Sequence, residues 1–183
     1  MNIAMAVRES RPAPELAVER WFNSEGDVSL AGLRGEVVVI EAFQMLCPGC
    51  VAHGLPLAQR VAAAFGKDLV VLGLHTVFEH HDAMTPVSLG AFLHEYRIGF
   101  PVGVDRHEQG DPVPVTMRRL SLRGTPSLLA IDRAGLVRVH TFGQVGELSL
   151  GAALARLLDE PRPVDGLGAV DDDRPTTSKE NQP

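Results

Sequence analysis

Four consecutive β-branched residues, Val37, Val38, Val39 and Ile40, lead within a few positions into Cys47-Pro48-Gly49-Cys50, and an Ala- and Leu-rich stretch follows at once. An unbroken β-branched run is the pattern of a strand buried on both faces, here over residues 36–43. Residues 50–65 read as a helix closed by Gly66. The only two cysteines of the chain therefore stand where a buried strand turns into a helix. Such a helix start presents unpaired N–H groups and the positive end of a dipole. Both favour a thiolate, the reactive form of the first cysteine. Pro48 suits a first helical turn, where its missing N–H costs nothing, and Gly49 removes bulk beside the sulfurs. A spacing of three lets the sulfurs meet across one turn, so Cys47 can attack a disulfide and Cys50 can resolve the mixed disulfide. Cys47, at the outer edge of the turn, is expected to be exposed and Cys50 shielded. A zinc site would need four ligands; there is no second cysteine pair, and no metal is expected.

The rest of the chain alternates strands and helices. Residues 69–75 read as a second buried strand, 88–98 as a helix with Ser88 as N-cap, and 100–104 as a short strand. After a loop at 105–114, residues 115–122 read as a short helix. Residues 127–132 and 136–142 read as two strands joined by Arg133-Ala134-Gly135, a hairpin signal. Residues 146–159 close as an amphipathic helix with Leu148, Leu150, Leu154, Leu157 and Leu158 toward the core. Strands that first alternate with helices and then form a hairpin imply an α/β sandwich with a mixed sheet. The division expected is an N-terminal arm at 1–11, one domain at 12–160 and a disordered tail at 161–183, whose polar composition cannot offset its ordering entropy.

Three further segments carry a resemblance. Pro12-Ala13-Pro14-Glu15-Leu16, the stretch from Ser29 through Leu33-Arg34-Gly35 to Ile40, and Arg123-Gly124-Thr125-Pro126-Ser127 are similar, with the cysteines, to the thioredoxin superfamily in its TlpA/ResA-like or redoxin-type branch. The resemblance implies a thioredoxin-like three-layer sandwich: a mixed central sheet flanked by helices, with a helix–strand insertion between the second strand and residue 123. It implies a cis Thr125–Pro126 bond opposite the cysteines, with Thr125, Pro126, Pro48 and Gly49 forming the substrate-binding surface. It also implies that Glu41, where thioredoxins place a buried aspartate, has a raised pKa and shuttles a proton for the resolving thiol. The catalytic set expected is Cys47, Cys50 and Glu41. The chain departs from the pattern at Leu46, where a tryptophan is common. It departs again at Pro56, six residues after Cys50 instead of five, an offset that Gly54 can absorb as a local bulge.

The resemblance implies a thiol–disulfide oxidoreductase without a cofactor, acting on a protein or small-molecule disulfide and recharged by an unidentified reductant. Two alternatives stay open. One is a peroxiredoxin-like thiol peroxidase, although Gln44 and Ile40 stand where that motif has a hydroxyl residue and a proline. The other is a redox-regulated binding module. The net charge of -6 excludes general nucleic-acid binding and docking on anionic membranes. The first dozen residues show no basic-then-apolar leader, so a cytoplasmic chain is expected. His53, one turn beyond Cys50, is read as a solvated residue. His75 ends the second strand near the active-site edge, and His80 and His81 fall in an exposed loop.

Overall fold

The computed structural model describes residues 11–162. Most of the expected arm and tail lie outside the described residues. Arg11 belongs instead to a short strand, β1 (Arg11–Pro12). The other strands are β2 (Val18–Phe22), β3 (Val37–Phe43), β4 (Leu69–His75), β5 (Val102–Asp105), β6 (Ser127–Ile131) and β7 (Leu136–Phe142). The helices are α1 (Leu55–Phe65), α2 (Pro86–Glu95), α3 (Val115–Arg119) and α4 (Glu147–Asp159). The strands form one sheet in the order β1-β7-β6-β3-β4-β5-β2. β3, β4 and β5 run parallel, whereas β6 is antiparallel to β3, β7 to β6, β1 to β7 and β2 to β5.

β3 is central and buried along its whole length, as its β-branched run requires. Its side chains alternate between two cores. Val37, Val39 and Phe43 pack with Ala58 and Val61 of α1, Leu89 and Leu93 of α2, and Leu150, Leu154 and Leu157 of α4. Val38, Ile40 and Ala42 pack on the other side with Met117 of α3, Leu120 and Leu30. This is the three-layer mixed sandwich expected, with α2 and β5 as the helix–strand insertion.

Several local readings need correction. Residues 50–65 do not form one α-helix: a π-helical turn, Cys50–Gly54, precedes α1. The wide turn absorbs the extra residue before Pro56. α2 begins at Pro86, not Ser88, and ends before Ile98; its N-cap is Thr85, whose side chain accepts from the Ser88 N–H. A proline at the first helical position leaves the residue before it as the natural cap. Leu148 is 92% exposed, not core, because it lies two positions before Leu150 and so on the opposite side of α4. The short strand runs Val102–Asp105 rather than 100–104, α3 stops at Arg119, and β2 was not anticipated at all.

Candidate active site

β3 delivers the chain to the active-site turn at its C-terminal end. Gln44 and Met45 remain buried, Leu46 is 57% exposed, Cys47 half-buried and Cys50 fully buried. The Val51 N–H donates to the Cys47 carbonyl, which opens the helical segment on Cys47 itself. The Cys50 N–H donates to Cys47 Sγ at 3.3 Å, giving negative charge on that sulfur a partner. Burial first, and then its hydrogen bond with Cys47, pushes the Cys50 thiol up. The sheltered Cys50 expected from the spacing is present, whereas Cys47, expected to be exposed, is half-buried.

Thr125–Pro126 is cis, and the loop carrying it lies directly across from the dithiol. Cys47 Sγ lies 3.5 Å from the Thr125 carbonyl oxygen. Two bonds hold the loop: Gly143 N–H to the Pro126 carbonyl at 2.8 Å, and Ser127 Oγ to the Gly124 carbonyl at 2.7 Å. Gly49 proves more specific than a relief of bulk beside sulfur. A Cβ there would sit 3.1 Å from Pro126 Cδ and 4.0 Å from Cys47 Sγ, so the glycine chiefly makes room for the proline. Beside this loop stands Phe142, 47% exposed, over Gly124 and under the Arg123 guanidinium. Sequence reading missed it, because residue 142 reaches the site only through the β6–β7 pairing.

Glu41 is 1% exposed on β3, beneath α1. Its Oε1 has no hydrogen-bond partner. Burial pushes this carboxyl well above the usual carboxylate range, and the neighbouring Cys47 sulfur adds to the effect. A Cβ at Gly54 would overlap Glu41 Oε1 and lie 2.9 Å from Pro126 Cβ. Carboxyl, π turn and cis-proline therefore form one packed unit; Gly54 was expected as the site of the bulge, but its approach to Glu41 was not.

The histidines separate into surface and core. His53 is exposed; so are His80 and His81, and the His81 ring meets His107 edge-on at 5.2 Å. Among the described residues no group of three or more His, Cys, Asp or Glu is placed to hold a metal ion. His75 is 1% exposed, packs on Phe43 at 5.3 Å, and has no partner for either ring nitrogen. Burial lowers its pKa to about 4. The unfolded chain then takes up a proton below the ordinary histidine range while the folded one does not, so stability present above about pH 6.5 is lost as pH falls toward 4. Between pH 7 and pH 5 this costs on the order of 2 kcal/mol at 1.36 kcal/mol per unit. His75→Leu is expected to remove that loss, read as the difference between urea-unfolding curves of variant and wild type at the two pH values. Parallel curves would show that the ring is protonated in the fold.

No helix among the described residues is long and apolar enough to cross a membrane. No family model matches the chain. Among curated proteins it is 27% identical over 155 residues to Protein DipZ of Mycobacterium bovis and of Mycobacterium tuberculosis, and spans only 21% of their length. Among solved structures it is 65% identical to the thioredoxin-like superfamily protein SPOA0173, with a TM-score of 0.81, covering 83% of this chain and 99% of that one. It is 50% identical to a thiol-disulfide isomerase from Corynebacterium glutamicum, with a TM-score of 0.78, covering 82% and 97%. Chains sharing the fold at lower identity include an exposed lipoprotein thioredoxin of Streptococcus pneumoniae and a secreted disulfide oxidoreductase of Mycobacterium tuberculosis. The names of these last two, one exposed and one secreted, contradict the cytoplasmic expectation, which rested on the composition of a dozen terminal residues, and that expectation is withdrawn. With a 65% identical relative matched almost end to end, the chain belongs to the thioredoxin-like superfamily, and its cysteine pair is the redox-active dithiol of a thiol–disulfide oxidoreductase.

Proposed function

We propose that the protein exchanges disulfides with an extended polypeptide or a small disulfide, through Cys47 as nucleophile, Cys50 as resolving thiol and Glu41 as the group that takes the Cys50 proton. The observation that supports this most is the approach of Cys47 Sγ to the Thr125 carbonyl, with Cys50 buried behind it. A strand laid along Thr125 and Pro126 can pair with that backbone and bring its disulfide to Cys47, while Pro48 and Gly49 form the opposite lip. Leu46 and Phe142 add apolar surface on either side, suited to apolar residues flanking the disulfide. A reductant of the dithiol class, unidentified, would restore the thiols after each turnover.

In the forward direction the Cys47 thiolate attacks one substrate sulfur and the other leaves as a thiolate. Cys50 then gives its proton to Glu41, attacks Cys47 Sγ and releases the second substrate thiolate, leaving Cys47–Cys50 oxidised. The peroxidase alternative draws no support from Gln44, whose side chain is buried and accepts from the Phe78 N–H at 3.2 Å.

Equilibration in glutathione buffers tests the proposal: the two thiols should join reversibly, and the reduced protein should cleave the insulin disulfides. Thiols that never join in any glutathione ratio would refute it. Glu41→Gln keeps the shape of the carboxyl and removes its base. It is expected to slow the Cys50 step about a hundredfold near neutrality, the low end for a positioned base, and to leave the Cys47 step within about twofold. Equal slowing of both steps would deny Glu41 its role.

A further inference from the structure

The buried carboxyl of Glu41 forms one wall of a cavity of about 50 Å³ that runs between α1 and the segment after β7. Leu57 and Val145 line its sides. Its outer wall consists of exposed His53 together with Arg60 and Glu147, whose side chains are mostly exposed and meet in an ion pair at 2.7 Å. That volume has room for more than one water. Neither cysteine, nor Thr125 or Pro126, is among the residues that line it.

The order of the chemistry makes this geometry matter. While Cys47 is a thiolate, its charge and the burial of Glu41 both favour a protonated carboxyl. Once Cys47 is tied up in the mixed disulfide that charge is gone, and Glu41 must release its proton to become the base for Cys50. At that moment the half of the substrate still joined to Cys47, whether strand or small disulfide, occupies the Thr125–Pro126 side of the site. The proton therefore needs an exit that does not pass the substrate.

We propose that Glu41 exchanges its proton with solvent through this cavity, with His53 as the relay at its mouth and the Arg60–Glu147 pair holding the mouth in shape. His53 acts through Glu41 and is a positioning and relay residue, not one that touches substrate. The titratable and charged groups around the path are Glu41 on β3, His53 and Arg60 on the helical segment, and Glu147 on α4; Cys47 acts on the carboxyl from the active-site side. Each forward turnover passes one proton from Cys50 to Glu41 and then to solvent, and the two substrate thiolates take theirs from solvent.

The inference rests on the proposed role of Glu41, and the test separates the two. The full-length reduced protein is mixed with dithiobis-nitrobenzoate in a stopped-flow instrument. One nitrothiobenzoate anion is released when Cys47 attacks and a second when Cys50 resolves, so the two steps appear as two phases. His53→Gln, at an exposed position, is expected to slow the second phase about tenfold near neutrality and leave the first within about twofold, as loss of a proton relay requires. Added imidazole should restore the second phase in this variant while leaving the wild type unchanged. Val145→Trp, which fills the cavity, should slow the second phase without imidazole rescue. If Glu41→Gln slows the second phase but His53→Gln does not, or if imidazole fails to rescue His53→Gln, the route is wrong and the carboxyl's role stands. A second phase insensitive to Glu41→Gln overturns both.

Discussion

Cys47→Ser is expected to lower the rate of insulin disulfide reduction by at least about a thousand-fold, because a serine hydroxyl at neutral pH supplies no comparable nucleophile and removing the attacking group disables the whole sequence of steps. Cys50→Ser should differ in kind. The first attack survives, since it needs only Cys47, its Cys50 N–H donor at 3.3 Å and the opposed loop. The resolving sulfur is gone, so turnover stops at the mixed disulfide and the covalent adduct accumulates. Burial of Cys50 makes the roles unequal in advance: a side chain with no exposed surface cannot be reached by a polypeptide disulfide. Mass spectrometry of each variant after exposure to a disulfide peptide reads both outcomes. A stable adduct on Cys50 in the Cys47→Ser protein, or none on Cys47 in Cys50→Ser, would reverse the assignment.

The parts of this site that could be read from the sequence were those set by neighbours in the chain. The β-branched run before the cysteines marks β3 whatever surrounds it. The placing of Pro56 six residues after Cys50, with Gly54 between, pointed to the extra residue that the π turn holds. The cis-proline loop was identified through its resemblance alone. What stayed hidden came from long-range pairing. β2, Val-Glu-Arg-Trp-Phe, is an edge strand without apolar alternation, and its pairing with β5 joins residues some eighty positions apart. Phe142 and the wall at Val145 and Glu147 meet the dithiol region only because β7 returns beside β6 and α4 packs back over β3. Glu41 could be placed in a buried strand; its contact with Gly54 could not.

That contact yields the sharpest stability test. Gly54 has φ −61° and ψ −60°, an ordinary helical conformation that any residue adopts. Judged by backbone alone, Gly54→Ala should stabilise by roughly 0.5–1 kcal/mol, the usual gain from removing glycine from a helix. Space decides otherwise. The added methyl overlaps the Glu41 carboxyl and crowds Pro126 Cβ at 2.9 Å; the carboxyl ends its side chain but is fully buried, and the proline ring cannot turn aside. Overpacking of this kind costs about 1–3 kcal/mol, so after that gain a net loss of about 1–2 kcal/mol is expected. In a domain of this size that lowers Tm by roughly 2–8 °C. Gly151→Ala in α4, where an added Cβ meets nothing within 4 Å, should show the opposite sign and supplies the control. Combining Gly54→Ala with Glu41→Ala should recover part of the loss, a coupling of about 1 kcal/mol or more between touching residues, with the remainder belonging to Pro126. A stabilised Gly54→Ala protein, or strict additivity with Glu41→Ala, would mean that carboxyl and π turn are not in contact, and the packed unit of carboxyl, turn and cis-proline would come apart with it.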